Sequence, residues 1–476
     1  MIGIVHWVWV AMLVTVSGVA WATPSTDAVV LSLWQRSSAP GVAYAYIENN
    51  EIGAGAHGEV LIGSGEQVTA DTPFPLGSIS KSFTALAIIQ RVEAGQLRLD
   101  DAISTYLPAF ADGPGETITL RQLLSHTSGY STLQGNENRL SPDMGDDVLQ
   151  RQVERIASWQ PANPPGQSWA YSNANYLILG AVIETVTGRS YAEYIETEIL
   201  DPLGMSRSFV ADGSTRPEMV AAHLPWFGGR WAVSGRETDR LNAPAGGVIA
   251  SARDVAIYLD MMMNQQDDLI SAEHKALMMR PASEVAPFYG LGWYVDTTNQ
   301  TVSHTGLIPG IETLAIMRPA ERQAAVVLVN ASGGLGFGET VDLRYAVALR
   351  GVGMDYSPGG GVWGRKILTL TFWLLPILFV CGIAIAWFKR VGLRAKAGLA
   401  GQLSLWFPLV ISLALAWVCL ALLPSLFGVS IATLSRYQPD WTIGLWASAA
   451  SGMVWAVFRL AVYHTAGQAV TDRPRE

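Results

Sequence analysis

Three stretches in the last quarter of the chain, about 367–388, 403–427 and 441–463, are each long and apolar enough to cross a bilayer as a helix. They divide the chain into a membrane-bound tail and a body that must fold in water. The connection after the first stretch holds Lys389, Arg390, Arg394 and Lys396, whereas the one after the second holds only Arg436 and Asp440. The positive-inside rule makes the first connection cytoplasmic and puts the body on the outer face. Trp363, Trp387, Trp406 and Trp441 fall near the span ends, where interface aromatics gather. Arg459, inside the third stretch, is expected to snorkel to the cytoplasmic side.

The first 22 residues lead to the same side by an independent route. They are apolar and end in Ala20-Trp21-Ala22, a pattern of signal-peptide cleavage sites. The segment lacks the usual Lys or Arg, so it reads as a signal peptide or as an uncleaved N-terminal anchor; either one exports the body. Residues 351–365 are Gly-rich around Ser357-Pro358-Gly359-Gly360-Gly361 and read as a linker. The expected organisation is therefore an export segment (1–22), a body (23–350), a linker (351–365) and a three-helix membrane domain (366–476). This describes a multi-pass protein of the cytoplasmic membrane with its body on the periplasmic or extracellular side.

Charge follows that division. Residues 23–365 carry 22 Lys and Arg against 37 Asp and Glu, a net of −15, while residues 366–476 carry 9 against 3, a net of +6. An acidic body argues against a nucleic-acid partner. Both cysteines, Cys381 and Cys419, lie in the tail, so no disulfide holds the body and a packed core must. No C-x-x-C, H-E-x-x-H or phosphate-binding glycine loop is present, and neither a metal nor another cofactor is expected.

Within the body, 42–48 alternates and is rich in Val, Tyr and Ile, as a strand is, and a second strand is expected near 59–63. A helix is expected from Ser78 to about Ala94, others over 120–124, 171–187 and 254–263, and late strands over 291–295, 302–305, 313–317 and 324–330. Strands at both ends with helices between them indicate an α+β domain whose terminal strands join in one sheet.

Ser78-Ile79-Ser80-Lys81 opens the first of these helices. A serine and a lysine three residues apart on a helix face the same way, so a hydroxyl and an amine can share a hydrogen bond. That pairing can activate an alcohol as a nucleophile. Lysine is rare here: between residues 23 and 365 only Lys81 and Lys275 occur, against 20 arginines. Lysine can lose its proton when buried, and arginine cannot. Ser78 at a helix N-terminus also offers its own unpaired N–H to a tetrahedral oxyanion. The plain alternative is a helix cap. Downstream, Tyr171-Ser172-Asn173 supplies a hydroxyl able to relay a proton and an amide able to bind a substrate amide. His304-Thr305-Gly306 lies on a late strand, where a small residue lets the backbone approach a ligand. Each of these also has an ordinary structural reading, as helix-start packing or a strand-end turn.

In this order the three elements resemble serine hydrolases related to class C β-lactamases, DD-carboxypeptidases and D-aminopeptidases. The stretches Leu123-Leu124-Ser125-His126-Thr127-Ser128-Gly129, Pro202-Leu203-Gly204-Met205 and Gly246-Gly247 before Ser251 are similar to the same family. The resemblance covers about residues 29–350. It implies an antiparallel sheet flanked by helices beside an all-helical region, with the site in the cleft between them. It further implies Ser78 as acylated nucleophile, Lys81 as base and Tyr171 as the group that moves protons to and from leaving group and water. Asn173 would bind the acyl side chain's amide, His304, Thr305 and Gly306 would line the opposite wall, and the N–H groups of Ser78 and Leu307 would form the oxyanion hole. His304 stands where class C β-lactamases usually carry lysine. A neutral histidine grips a carboxylate less firmly, which turns the expectation away from efficient β-lactamase activity. His126 reads as structural. The absence of a G-x-S-x-G elbow at Ser78 argues against an α/β-hydrolase.

The expected activity is acyl-enzyme hydrolysis of D-amino-acid peptides, cell-wall peptides among them, or of related amides and esters, with β-lactams as possible acylating ligands. Two alternatives stand beside it: a promiscuous esterase or D-aminopeptidase without a cell-wall role, and a penicilloyl- or peptide-binding sensor that is acylated without turnover.

Overall fold

The computed structural model describes residues 25–137, 145–233, 235–333, 340–357 and 362–471. The export segment expected over 1–22 lies outside the described residues, as do positions 358–361 of the linker.

The β-branched and small apolar residues at the two ends of the body assemble one antiparallel sheet. Its strands are β1 (Gly41–Glu48), β2 (Glu51–Gly58), β3 (Tyr294–Asp296), β4 (Thr301–Ile308), β5 (Ile311–Arg318) and β6 (Gln323–Val329), in the order β2–β1–β6–β5–β4–β3. The ends of the body meet where β1 pairs with β6, Tyr44 opposite Val327 and Ala45 opposite Val326. Helices α1 (Thr26–Arg36), α2 (Ser80–Glu93), α4 (Ala252–Met263) and α5 (Thr340–Gly351) surround it, and α3 (Asn173–Thr187) belongs to the helical region beside it. Alternation along the strands feeds two cores. Val42, Tyr44, Leu314, Ile316 and Val327 pack with Val30 of α1 and Leu343 and Val347 of α5. Ala43, Ala45, Ala315, Met317 and Val326 face α2 and α4 in the larger core, which continues into the helical region around α3.

The second strand departs from expectation. It spans Glu51–Gly58, and 59–63 contributes only an isolated bridge of Glu59 to Gln67. The segment Glu51-Ile-Gly-Ala-Gly-Ala-His-Gly58 looks unlike a strand because glycine weakens strands. Here Gly53 lies opposite Tyr46 and Gly55 opposite Tyr44. A Cβ at Gly53 would lie 2.3 Å from the Tyr46 ring, and one at Gly55 2.4 Å from the Tyr44 hydroxyl. The tyrosine rings cover the bare strand and supply the missing side-chain contacts.

One buried ion pair ties α5 to the sheet. Arg344 Nη2 lies 2.8 Å from Glu312 Oε2, and the Glu312 carboxylate also accepts from the Gly333 N–H at 3.0 Å and from the Thr340 hydroxyl. Both charged residues are buried. Arg344→Ala strands the carboxylate and is expected to cost about 3–5 kcal/mol, measurable as a lower denaturation midpoint. A loss below about 1 kcal/mol contradicts the pairing.

The tail forms α6 (Val362–Phe388), α7 (Gly398–Trp417) and α8 (Pro439–Thr471). Three helices here are long and apolar enough to cross a membrane, over Lys366–Phe388, Gly398–Leu426 and Pro439–Thr465. Trp441 joins α8 to α6 by stacking edge-on against Phe372 at 5.3 Å and donating to Thr369 Oγ1 at 3.0 Å. Arg459 donates to the Ser404 carbonyl at 3.2 Å, toward the start of α7. The segment between α7 and α8, which includes a short helix Ile431–Tyr437, rests on the body. Asn136 Nδ2 donates to the Gly428 carbonyl at 2.9 Å, and the Phe227 N–H donates to Asp440 Oδ2 at 3.2 Å. The body and this connection therefore lie on the same side of the three helices.

Candidate active site

Ser78 lies in a tight turn, Gly77–Ile79, that leads into α2. The α-helix itself begins at Ser80, two residues later than expected, and the Ser78 side chain caps nothing. Gly77 has φ +57°, a conformation that favours glycine. A Cβ on it would lie 2.7 Å from the Leu307 nitrogen and 3.1 Å from the Gly306 carbonyl carbon. At Gly306 a Cβ would fall 1.9 Å from the Leu76 carbonyl oxygen. Two glycines thus let the turn and β4 touch backbone to backbone, and Thr313 Oγ1 clamps them by donating to Leu76 O at 2.7 Å. This contact sets the Leu307 nitrogen beside the Gly77–Ser78 peptide, where a pair of N–H groups can receive an oxyanion. The far side of β4 is open beyond Ser303, because β3 pairs only with residues 301–303.

Lys81, the second residue of α2, is fully buried. Its Nζ donates to Ser78 Oγ at 3.0 Å, to Asn173 Oδ1 at 2.8 Å and to the Ala245 carbonyl at 2.7 Å. It also sits 4.9 Å from the centre of the Tyr171 ring and 5.4 Å from that of Tyr176. Ser78 is only partly buried, so its hydroxyl faces both the amine and the cleft. Asn173 begins α3, and its amide is engaged at both ends: Nδ2 donates to Asn136 Oδ1 at 3.0 Å.

His126 lies under this constellation. Its φ is +59° and it is buried, with its ring 4.3 Å from that of Tyr171. Its Nδ1 accepts the Ser172 N–H at 3.2 Å and lies 3.1 Å from Asn175 Nδ2. The histidine therefore holds the extended Tyr171–Ser172 backbone and backs the tyrosine ring. His304 is also buried, 1 % exposed. Its Nδ1 bonds to the Thr305 carbonyl at 2.7 Å, which makes that nitrogen the donor and leaves Nε2, 3.2 Å from the Tyr289 hydroxyl, as acceptor.

Burial, and then the charge of Lys81, lowers the His304 pKa to about 3. The same two causes hold His126 well below its ordinary value, and burial lowers His223. A depressed folded-state pKa means the unfolded chain binds more protons once the pH drops below about 6.5. Stability is therefore fully present above pH 6.5 and is expected to fall toward pH 3, by up to about 1.4 kcal/mol per pH unit for His304 alone. Unfolding midpoints recorded from pH 7.5 to 4.5 test this, and His304→Asn should flatten the slope. An unchanged slope contradicts a buried neutral histidine.

A cavity of about 220 Å³ opens over these groups, lined by Ser78, Tyr171, Asn173, His304, Thr305 and Leu307. Every residue singled out from the sequence except Lys81 and Gly306 lines it; Lys81 lies beneath Ser78, and Gly306 is occupied against Leu76. Sequence reasoning missed Asn136, Tyr294 and, from the connection between α7 and α8, Phe427, Val429, Thr433 and Tyr437, which complete the lining. The topology argument had already put the second connection on the body's side, and that was the one available signal.

A serine hydroxyl bonded to a buried lysine amine, beside two backbone N–H groups and between a sheet and a helical region, is an arrangement able to carry out acyl transfer. The Beta-lactamase family profile matches residues 26–350. The chain belongs to the beta-lactamase family. It is 26 % identical over 311 residues to Protein flp of Staphylococcus aureus, covering 64 % of this chain and 62 % of that one, so it spans less than two thirds of that relative's length. The octameric penicillin-binding protein homologue from Pyrococcus abyssi superposes with a TM-score of 0.60 at 26 % identity, covering 72 % of this chain and 80 % of the other. A D-stereospecific amidohydrolase from Streptomyces sp. superposes with a TM-score of 0.53 at 26 % identity, covering 65 % and 95 %.

Proposed function

We propose that this protein is a membrane-anchored, exported serine hydrolase that cleaves amides or esters, D-amino-acid peptides among them, through an acyl-enzyme. The observation that carries the reading is the 3.0 Å contact of a buried lysine amine with a partly buried serine hydroxyl at the floor of a cleft. Once its amine has given up a proton and accepts from the Ser78 hydroxyl, Lys81 takes the Ser78 proton as Oγ bonds to the substrate carbonyl carbon. The oxyanion receives the N–H groups of Ser78 and Leu307. Tyr171 gives a proton to the leaving group as its bond to that carbon breaks, and then takes one from the water that attacks the acyl-enzyme. Cleavage of the ester breaks the bond to Ser78 Oγ, and Lys81 returns to that oxygen the proton it took. Asn173 orients Lys81 and offers its amide to the substrate, opposite His304 and Thr305.

Anchoring in the cytoplasmic membrane, with the body on the periplasmic or extracellular face, rests on the three apolar helices and the charge of their connections. The hairpin His223–Trp226 and Gly229–Ala232 supports it: Trp226, Phe227 and Trp231 are exposed there, beside Trp373 of α6. That is where a bilayer interface would meet aromatic rings.

One observation favours the esterase reading as a second. Among the described residues, the lining of the first cavity includes no arginine or lysine, and His304 is neutral, so that cavity offers no fixed cation to a substrate carboxylate, although Arg236 and Arg436 line the adjoining cavity at Ser78. The test is turnover of a peptide ending in D-Ala-D-Ala against a short-chain ester, each with the Ser78→Ala variant as reference. Preference for the peptide supports the peptidase; turnover of the ester alone moves the protein to the esterase branch; acylation by a β-lactam without turnover of either indicates a sensor.

A further inference from the structure

Gly428 lies just beyond the second apolar span, Gly398–Leu426, and outside the residues 26–350 that match the family. Its carbonyl nevertheless ends a line of hydrogen bonds that starts at the Lys81 amine. Lys81 Nζ donates to Asn173 Oδ1 at 2.8 Å, Asn173 Nδ2 to Asn136 Oδ1 at 3.0 Å, and Asn136 Nδ2 to the Gly428 carbonyl at 2.9 Å.

Two glycines press together the segments that carry this line. At Gly428, whose φ is +65°, a Cβ would lie 2.8 Å from the Thr132 side chain. At Gly135 a Cβ would lie 2.5 Å from the Asn173 nitrogen. The short helix Thr132–Glu137 is therefore held between the membrane connection and the start of α3.

The line has a direction. An asparagine amide can present either its oxygen or its nitrogen to a neighbour, whereas a peptide carbonyl can only accept. The Gly428 carbonyl takes Asn136 Nδ2, which turns Asn136 Oδ1 to Asn173. Asn173 meets it with Nδ2, which turns its own Oδ1 to Lys81. A protonated Lys81 would orient Asn173 by itself, because an ammonium only donates. The neutral amine that acts as base can donate or accept and exerts no such control. Its two hydrogens go to Asn173 Oδ1 and the Ala245 carbonyl, and its lone pair then meets the Ser78 hydroxyl. A reversed Asn173 would offer Nδ2 to that lone pair instead.

We propose that the Gly428 carbonyl, acting through Asn136, holds the Asn173 amide in the orientation that leaves the Lys81 lone pair to Ser78, so that acylation requires the membrane connection to be docked on the body. Asn136 is a positioning residue in this account, and the membrane domain activates the site as well as anchoring it. The inference rests on the acyl-transfer reading above.

The full-length protein in lipid nanodiscs, in excess over p-nitrophenyl acetate, is followed through a single turnover, so that the maximal acylation rate and the half-saturating concentration are read separately. Asn136→Ala should lower the maximal rate by about tenfold or more, the worth of one misdirected hydrogen bond at the amine, and leave half-saturation within about threefold. Gly428→Ala forces the connection away from Thr132 and leaves the sequence of the body unchanged; it should lower the same rate by about threefold or more. Because Gly428 acts through Asn136, the double variant should stay within about twofold of Asn136→Ala alone. Either single variant acylating at the wild-type rate overturns the proposal, as do losses that multiply in the double variant. A loss confined to half-saturation also overturns it, since that is the mark of a substrate contact. If Ser78→Ala releases p-nitrophenol as wild type does, the acyl-transfer reading has failed and this inference falls with it. Ser78-dependent acylation that both variants leave unchanged overturns this inference alone.

Discussion

Ser78→Ala is expected to reduce hydrolysis of any acyl substrate by about 10⁴-fold or more and to abolish the covalent intermediate. The change removes one oxygen from a half-buried position and leaves the turn Gly77–Ile79 and helix α2 intact, so stability should hold to within about 1 kcal/mol. The neighbouring hydroxyls are no substitute. Ser80 Oγ is buried and accepts the Val248 N–H at 2.9 Å, and Ser82 Oγ is buried and donates to Ile79 O at 2.8 Å. Neither lines the cleft. A variant that keeps wild-type hydrolysis would mean that the chemistry occurs elsewhere.

Lys81→Ala should follow closely, with a loss of about 10²–10⁴-fold at neutral pH, the span attributed to general-base catalysis. The amine is within hydrogen-bond distance of Ser78 Oγ and able to take its proton, and no water can replace it without occupying the buried space it fills. The variant carries a cost in folding. Asn173 Oδ1 and the Ala245 carbonyl each lose a donor, and each unsatisfied buried acceptor is worth about 1–3 kcal/mol. Rate and unfolding midpoint must therefore be measured together. A folded variant that turns over at near-wild-type rate at neutral pH removes Lys81 from the role of base.

Much of this arrangement is legible in the sequence because it rests on local chemistry. A serine and a lysine one helical turn apart have to meet, and the rarity of lysine in an arginine-using body marks the pair. The pairing of the first and last strands follows from apolar strands at both ends of the body with helices between them. Strand β2 escapes because its side chains contribute little; the packing comes from Tyr44 and Tyr46 on its neighbour. Gly77 and Gly306 could not be singled out for the same reason: a glycine's need is set by what approaches it, here the Leu307 nitrogen and the Leu76 carbonyl. The roof of the site was hidden more deeply. Phe427, Thr433 and Tyr437 are separated from Ser78 by some 350 residues of chain and lie between two apolar helices, where they read as a mere connection. Only the fold carries that connection across the cleft.

The central claim is that Ser78 becomes acylated. The most direct measurement is intact mass followed by peptide mapping, on wild type and on Ser78→Ala, after incubation with a fluorescent penicillin and, separately, with a slowly hydrolysed ester. The account predicts a single acyl adduct on the peptide that contains Ser78 in wild type, and none in the variant, with at least one of the two reagents. An adduct on another residue, or one of equal yield in both proteins, would contradict it.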